Sequence, residues 1–239
     1  MTEEIANEGP FDRSCQFRII MAMPTSAWFW LVSPSYKLAE RRKRGLVAQG
    51  NKSDVTQALK QYNKFYLRVT LILTAAIGLG FHQKLYHEFP SVFLAYTVLF
   101  SFGYLLFSRA CEIFVAFLSD AVEKLNGVDS QSDLLPGDRL RLAFNSYIEI
   151  MFGFGTLYYI LPANWFGFKD PNVSFQNIYE AIYFSGVTMT TVGYGDISPT
   201  FCISQMLVLL QVFCSLTLAL VSFTVYTSLA LAKLTEKKN

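Results

Sequence analysis

Apolar residues along this chain fall in long blocks, not at the two-residue period of a half-buried strand or on one face of a surface helix. A helix crossing a hydrocarbon core of about 30 Å needs about 20 apolar residues. Four blocks meet or approach that length: Tyr62 to Phe81, Ser91 to Phe117, Leu142 to Leu161 and Phe201 to Ala232. The last has no charged residue and is longer than the bilayer core is thick, so the helix it predicts tilts or projects into water. Between the third and fourth blocks, Ser174 to Thr190 is too short to cross. With Ser174 as its cap, this stretch predicts a re-entrant helix whose carbonyl end aims negative dipole at the middle of the membrane. A further apolar run, Phe17 to Val32, is broken by Pro24 and carries Arg18 near its start. Its Trp28 and Trp30 suit headgroup depth, and an interfacial helix or a packed cytoplasmic element is expected there, the alternative being a fifth span that moves only the N-terminus outside.

Composition agrees with an all-α membrane protein: 52% of residues are hydrophobic and only 16% charged. The basic residues are unevenly placed. Ten lie before Arg68, three between Asp120 and Arg141 and three after Ala232, whereas the loops on the other face carry only Lys84 and Lys169. This asymmetry predicts that both termini are cytoplasmic. The cluster Arg41-Arg42-Lys43-Arg44 then reads as a solvated cytoplasmic linker. Cys15, Cys111, Cys202 and Cys214 have no metal-ligand spacing and read as free thiols. His82 and His87 read as solvated loop residues, and the acidic start Met1-Thr2-Glu3-Glu4 does not resemble a cleaved leader. Arg109, Glu112 and Glu149 lie within or beside the spans. A voltage sensor repeats arginine at every third position, and the second span has one, so Arg109 reads as an orienting charge near the inner headgroups. Glu149 lies about two turns beyond Arg141. Buried there it needs a cation, and Arg109 from the neighbouring span is the expected partner.

Between the two apolar segments of the second half stands Thr191-Val192-Gly193-Tyr194-Gly195-Asp196. Glycines at alternate positions let successive backbone carbonyls point the same way, through conformations closed to other residues. Rings of such carbonyls are what a dehydrated potassium ion requires, with the Thr191 hydroxyl adding an oxygen at the inner end. The stretch Thr188 to Asp196, with the helix before it and the helix after it, roughly Arg141 to Lys233, resembles the potassium-channel family; the first 140 residues carry no such likeness.

The resemblance implies a tetrameric potassium-channel pore fold: four transmembrane helices and one re-entrant pore helix per chain, with residues 1–61 cytoplasmic, 62–138 holding two additional spans, and 139–239 the pore module. Carbonyls of Thr191, Val192, Gly193 and Tyr194 would bind K+; Gly195 would permit the outer turn and Asp196 would support it from behind. A filter needs four such strands around one axis, and this chain has one, so a homotetramer in lipid is implied. The likeness further implies passive conduction without catalysis, no cofactor beyond the permeant K+, no nucleic-acid partner, and a place in the plasma membrane, the inner membrane of a bacterium. The loop from His82 to Pro90 is too short for a second pore helix, which separates the chain from two-pore-domain relatives. Two departures matter. The last span has no glycine, and Ser215 stands where relatives often have a gating hinge. Val187 stands where the best-known two-span channels have a carboxylic acid bonded to the equivalent of Asp196. Tyr183, one turn earlier, is expected to brace Asp196 through its hydroxyl, directly or by a water. The alternatives are a nonselective cation channel that keeps the Gly-Tyr-Gly string, a transporter subunit of the same pore architecture, and a regulatory subunit that does not conduct alone.

Overall fold

The computed structural model describes residues 33–48, 52–80, 92–125, 132–169 and 174–236. Helices α1 (Pro34–Ala48), α2 (Lys52–Gly78), α3 (Val92–Leu125) and α4 (Pro136–Ile160) come first. A 3-10 turn (Ala163–Trp165), β1 (Phe166–Phe168), α5 (Ile178–Met189) and β2 (Ile197–Pro199) follow. The final helix is α-helical over α6 (Cys202–Leu216), π-helical over Thr217–Ser222, and α-helical again over α7 (Phe223–Glu236).

Each expected span is helical where it is described, and the helices run further than the apolar blocks. α2 begins ten residues before Tyr62, α3 ends eight beyond Phe117 and α4 begins six before Leu142, because backbone hydrogen bonding continues into the polar ends. Pro136, with no N–H to lose, starts α4, and Asp138 sits in its first turn. Among the described residues one helix, Cys202–Leu229, with mean hydropathy 2.3, is long and apolar enough to cross a membrane. α2 carries Lys60, Lys64 and Arg68, and α4 carries Asp138, Arg139, Arg141 and Glu149, which lowers their apolarity. The expected linker at Arg41–Arg44 is instead part of α1; Arg41 and Arg42 are exposed there. The run Phe17 to Val32, Cys15, and the loop holding His82 and His87 lie outside the described residues.

α4 is the hub of the packing, touching α2, α3, α5, α6 and α7. Small and hydroxyl side chains let the helices approach, as they do where apolar surroundings remove the hydrophobic drive between helices. Thr74 of α2 shares a hydrogen bond of 2.7 Å with Thr156 of α4, and Asn63 Nδ2 donates to Ser146 Oγ at 2.8 Å. A methyl group on Gly155 would meet the backbone of Ile182 in α5 at 2.8 Å, so α4 and α5 touch through bare backbone. α1 is docked by Ser33, whose hydroxyl donates to the Ser108 carbonyl of α3 at 2.8 Å.

The aromatic core sits where α4, β1 and α5 meet. Tyr158 is fully buried and packs its ring against Phe154, Phe166 and Phe184 at centroid distances of 5.8, 5.6 and 5.2 Å. At the opposite end, Asp120 of α3 accepts from the Tyr226 hydroxyl of α7 at 2.7 Å and from the Arg139 guanidinium of α4. The first-half helix α3 is thereby tied to the last helix. Cys214 adds a second link, its thiol 3.6 Å from the Ala110 carbonyl. Cys111, Cys202 and Cys214 are free thiols.

Candidate functional site

α5 starts at Ile178, four residues later than Ser174. Asn177 is the cap: its Oδ1 accepts from the Glu180 N–H at 3.1 Å, while the Glu180 carboxylate accepts from the Gln176 N–H at 2.9 Å and from Asn177 Nδ2 at 3.2 Å. This reciprocal arrangement outcompetes Ser174, which has no acidic residue three positions on. The helix ends as expected. Its last carbonyls are taken by the strand that follows: Gly186 O accepts from Thr190 N at 3.0 Å, Thr188 O from Thr191 N at 3.1 Å and Val187 O from Val192 N at 3.1 Å.

Beyond Thr190 the backbone takes positive φ at every second residue: 59° at Thr191, 56° at Gly193 and 74° at Gly195. Val192 and Tyr194 between them keep negative φ. In an ordinary strand every residue keeps negative φ, so an alternation of sign marks a backbone path that no regular strand follows. The two glycines adopt this freely. Thr191 does not: among the described residues it is the sole non-glycine with positive φ, a strain of about 1–3 kcal/mol that the surrounding structure must hold. The three hydrogen bonds into the end of α5 hold it there.

Residues 191–195 are all exposed, Tyr194 to 70% and Val192 to 53%. A side chain built on Gly193 or Gly195 would have nothing within 4 Å, so this strand lies on the edge of the chain. Its exit is anchored instead. Lys169 N donates to Asp196 O at 3.0 Å, and β1 pairs antiparallel with β2, Phe168 opposite Ile197 and Phe166 opposite Pro199. Trp165 stacks on Phe201 at 4.7 Å, and Ser204 Oγ donates to Trp165 O at 2.8 Å, which fixes the start of α6 to the same ribbon.

Tyr183 stands beside the strand. Its ring lies parallel to that of Tyr194, at 3° and 6.4 Å between centroids. The Asp196 carboxylate lies near enough for its charge to act on the Tyr183 hydroxyl. The expected direct bond from the Tyr183 hydroxyl to Asp196 is not formed within the chain; what Tyr183 makes instead is the ring contact with Tyr194.

Two further groupings were not foreseen. Arg109 holds Glu112 as well as Glu149, its Nη1 donating to Glu112 Oε1 at 2.6 Å; the i,i+3 spacing on one helix was the available signal. Behind α5, Gln211 of α6 is fully buried and bonded to Ser185 and Tyr158. The signal there was an amide set deeper in the uncharged span than Gln205 near its start.

Residues 146–232 match the family described as an ion channel. Comparison with curated proteins and with solved structures gives no significant match. The matched segment begins in α4, contains α5, the Thr191–Asp196 strand and α6, and ends in α7; this part of the chain is similar to an ion-channel domain.

Proposed function

We propose that the chain is a subunit of a potassium-selective channel that conducts K+ passively across the plasma membrane. The observation that carries this reading is the alternation of φ along Thr191, Gly193 and Gly195, which supports a strand whose successive carbonyls face one side. Four copies around an axis would face those carbonyls inward, and the exposed edge formed by Val192, Gly193 and Tyr194 is where the other copies would lie. Carbonyls of Thr191, Val192, Gly193 and Tyr194 replace the hydration shell of the ion, and ions in successive rings repel one another enough to leave. Asp196 and Tyr183 support the outer turn. α2, α3 and α4 join the last helix in spanning the bilayer, with both termini on the cytoplasmic side.

Potassium-loaded liposomes containing the purified protein test this directly. A valinomycin-independent K+ efflux that Na+ cannot replace is expected; equal Na+ and K+ flux supports the nonselective alternative, and no flux of either supports a non-conducting subunit.

A further inference from the structure

We propose that Gln211 is a positioning residue for the Thr191–Tyr194 strand: it fastens α6 to the back of α5, so that the placement of the last helix sets where the filter carbonyls lie. The inference rests on the reading of that strand as the conducting element.

The amide of Gln211 is completely buried and fully used. Its Nε2 donates to Ser185 Oγ at 2.6 Å and to Ser185 O at 3.1 Å, and its Oε1 accepts from the Tyr158 hydroxyl at 2.6 Å. Ser185 Oγ in turn donates to Met151 O at 2.7 Å. A carbonyl only accepts, so the bond to Ser185 O fixes which end of the amide is nitrogen, and every hydroxyl proton in the chain then has one destination. Three helices are joined: α4 through Tyr158 and Met151, α5 through Ser185, and α6 through Gln211.

Ser185 lies one residue before Gly186, where the carbonyls that hold the filter base begin. Gly186, Val187 and Thr188 accept the N–H groups of Thr190, Val192 and Thr191. A shift at Ser185 therefore moves the hydrogen bonds that keep Thr191 in its strained conformation. An apolar side chain at 211 would suit an otherwise uncharged span better, because an amide in hydrocarbon is costly unless every group is paired. A network that is fully paired gives a unique placement, and one that is half paired is worse than none.

The test is Gln211→Met, which keeps the bulk and removes all three bonds, with Tyr158→Phe as the milder change. Assembly is checked first by size-exclusion chromatography in detergent. Expected for Gln211→Met are parent-like assembly, and sustained K+ currents that decay about three- to tenfold faster, or a K+/Na+ permeability ratio lower by the same factor, the scale of one interhelical hydrogen bond in a membrane. Amide hydrogen exchange over residues 186–192 reads the same coupling without any current, and faster exchange is expected there. Gln211→Met combined with Ser185→Ala is expected to add little to either alone. Unchanged current decay, permeability ratio and exchange in an assembled Gln211→Met protein would overturn the proposal. If that variant does not assemble, the same three readings on Tyr158→Phe decide it. A parent channel that fails to select K+ refutes the conduction reading separately, and exchange then remains the test of Gln211.

Discussion

Arg109 of α3 grips Glu149 of α4 with two nitrogens, Nε to Oε1 at 2.7 Å and Nη2 to Oε2 at 3.3 Å. The same guanidinium donates to Glu112 at 2.6 Å and lies over the Tyr66 ring, 4.1 Å from its centroid. Glu149 is 2% exposed, and the second oxygen of Glu112 is buried without a partner among the described residues. One cation thus serves two carboxylates, and removing the cation is not equivalent to removing one carboxylate. Arg109→Gln leaves two buried carboxylates facing each other and is expected to cost about 3–5 kcal/mol. Glu149→Gln leaves a neutral Arg109–Glu112 pair and is expected to cost clearly less. Thermal unfolding of the detergent-solubilised protein orders them, and equal losses would contradict the shared-cation account.

Two glycines in the second half should fail for different reasons. At Gly155 an added methyl meets the Ile182 backbone at 2.8 Å, so Gly155→Ala pushes α4 off α5 and is expected to lower stability by about 1–3 kcal/mol. At Gly193 nothing lies within 4 Å, and the obstacle is a φ of 56°. Gly193→Ala is therefore expected to leave the fold's melting temperature close to the parent's while abolishing selective flux. Melting curves and liposome flux on both proteins separate the two.

Tyr183→Phe removes the hydroxyl beside Asp196 and keeps the ring parallel to Tyr194. Faster decay of sustained K+ current in this variant is expected if the hydroxyl braces the outer turn. Decay no faster than in the parent would leave the ring contact at 6.4 Å as the brace.

Lys60 of α2 and Asp138 at the start of α4 form an ion pair of 2.8 Å. The hydrogen bond from Lys60 holds the Asp138 carboxyl below the ordinary carboxylate range. A depressed pKa contributes stability above the unfolded value, near pH 4, that is lost as pH falls through the lower folded value. The pair is partly exposed, so the contribution is small and screened by salt. Asp138→Asn is expected to remove a modest, salt-sensitive part of the stability at pH 7 and to make no difference near pH 2; unfolding at both pH values, in low and high salt, checks the sign.

The backbone path of Thr191 to Asp196 was legible in six letters: positive φ falls at alternate positions, and glycine supplies it at two of the three. That Thr191 takes the third was not legible, since only the hydrogen bonds from the end of α5 impose it. Arg109 and Glu149 could be paired from depth alone, as two opposite charges placed at one level in an apolar setting. The start of α5 was misplaced because Ser174 and Asn177 are both good caps, and only Glu180 three residues after Asn177 distinguishes them. The contact of Gln211 with Ser185 and Tyr158 depends on how three helices cross, which no local pattern encodes. Ser215 bonds back to its own helix, to Val212 O at 2.8 Å. The π-helical segment at Thr217–Ser222 that follows had no forerunner in the sequence.

The central claim is that the backbone carbonyls of Thr191, Val192, Gly193 and Tyr194 select potassium. The most direct measurement is the reversal potential of the purified protein in a planar bilayer with K+ on one side and Na+ on the other at equal concentration. The account predicts a reversal potential displaced strongly towards the K+ equilibrium potential. A reversal potential at zero, with current flowing equally well in both directions, would contradict it.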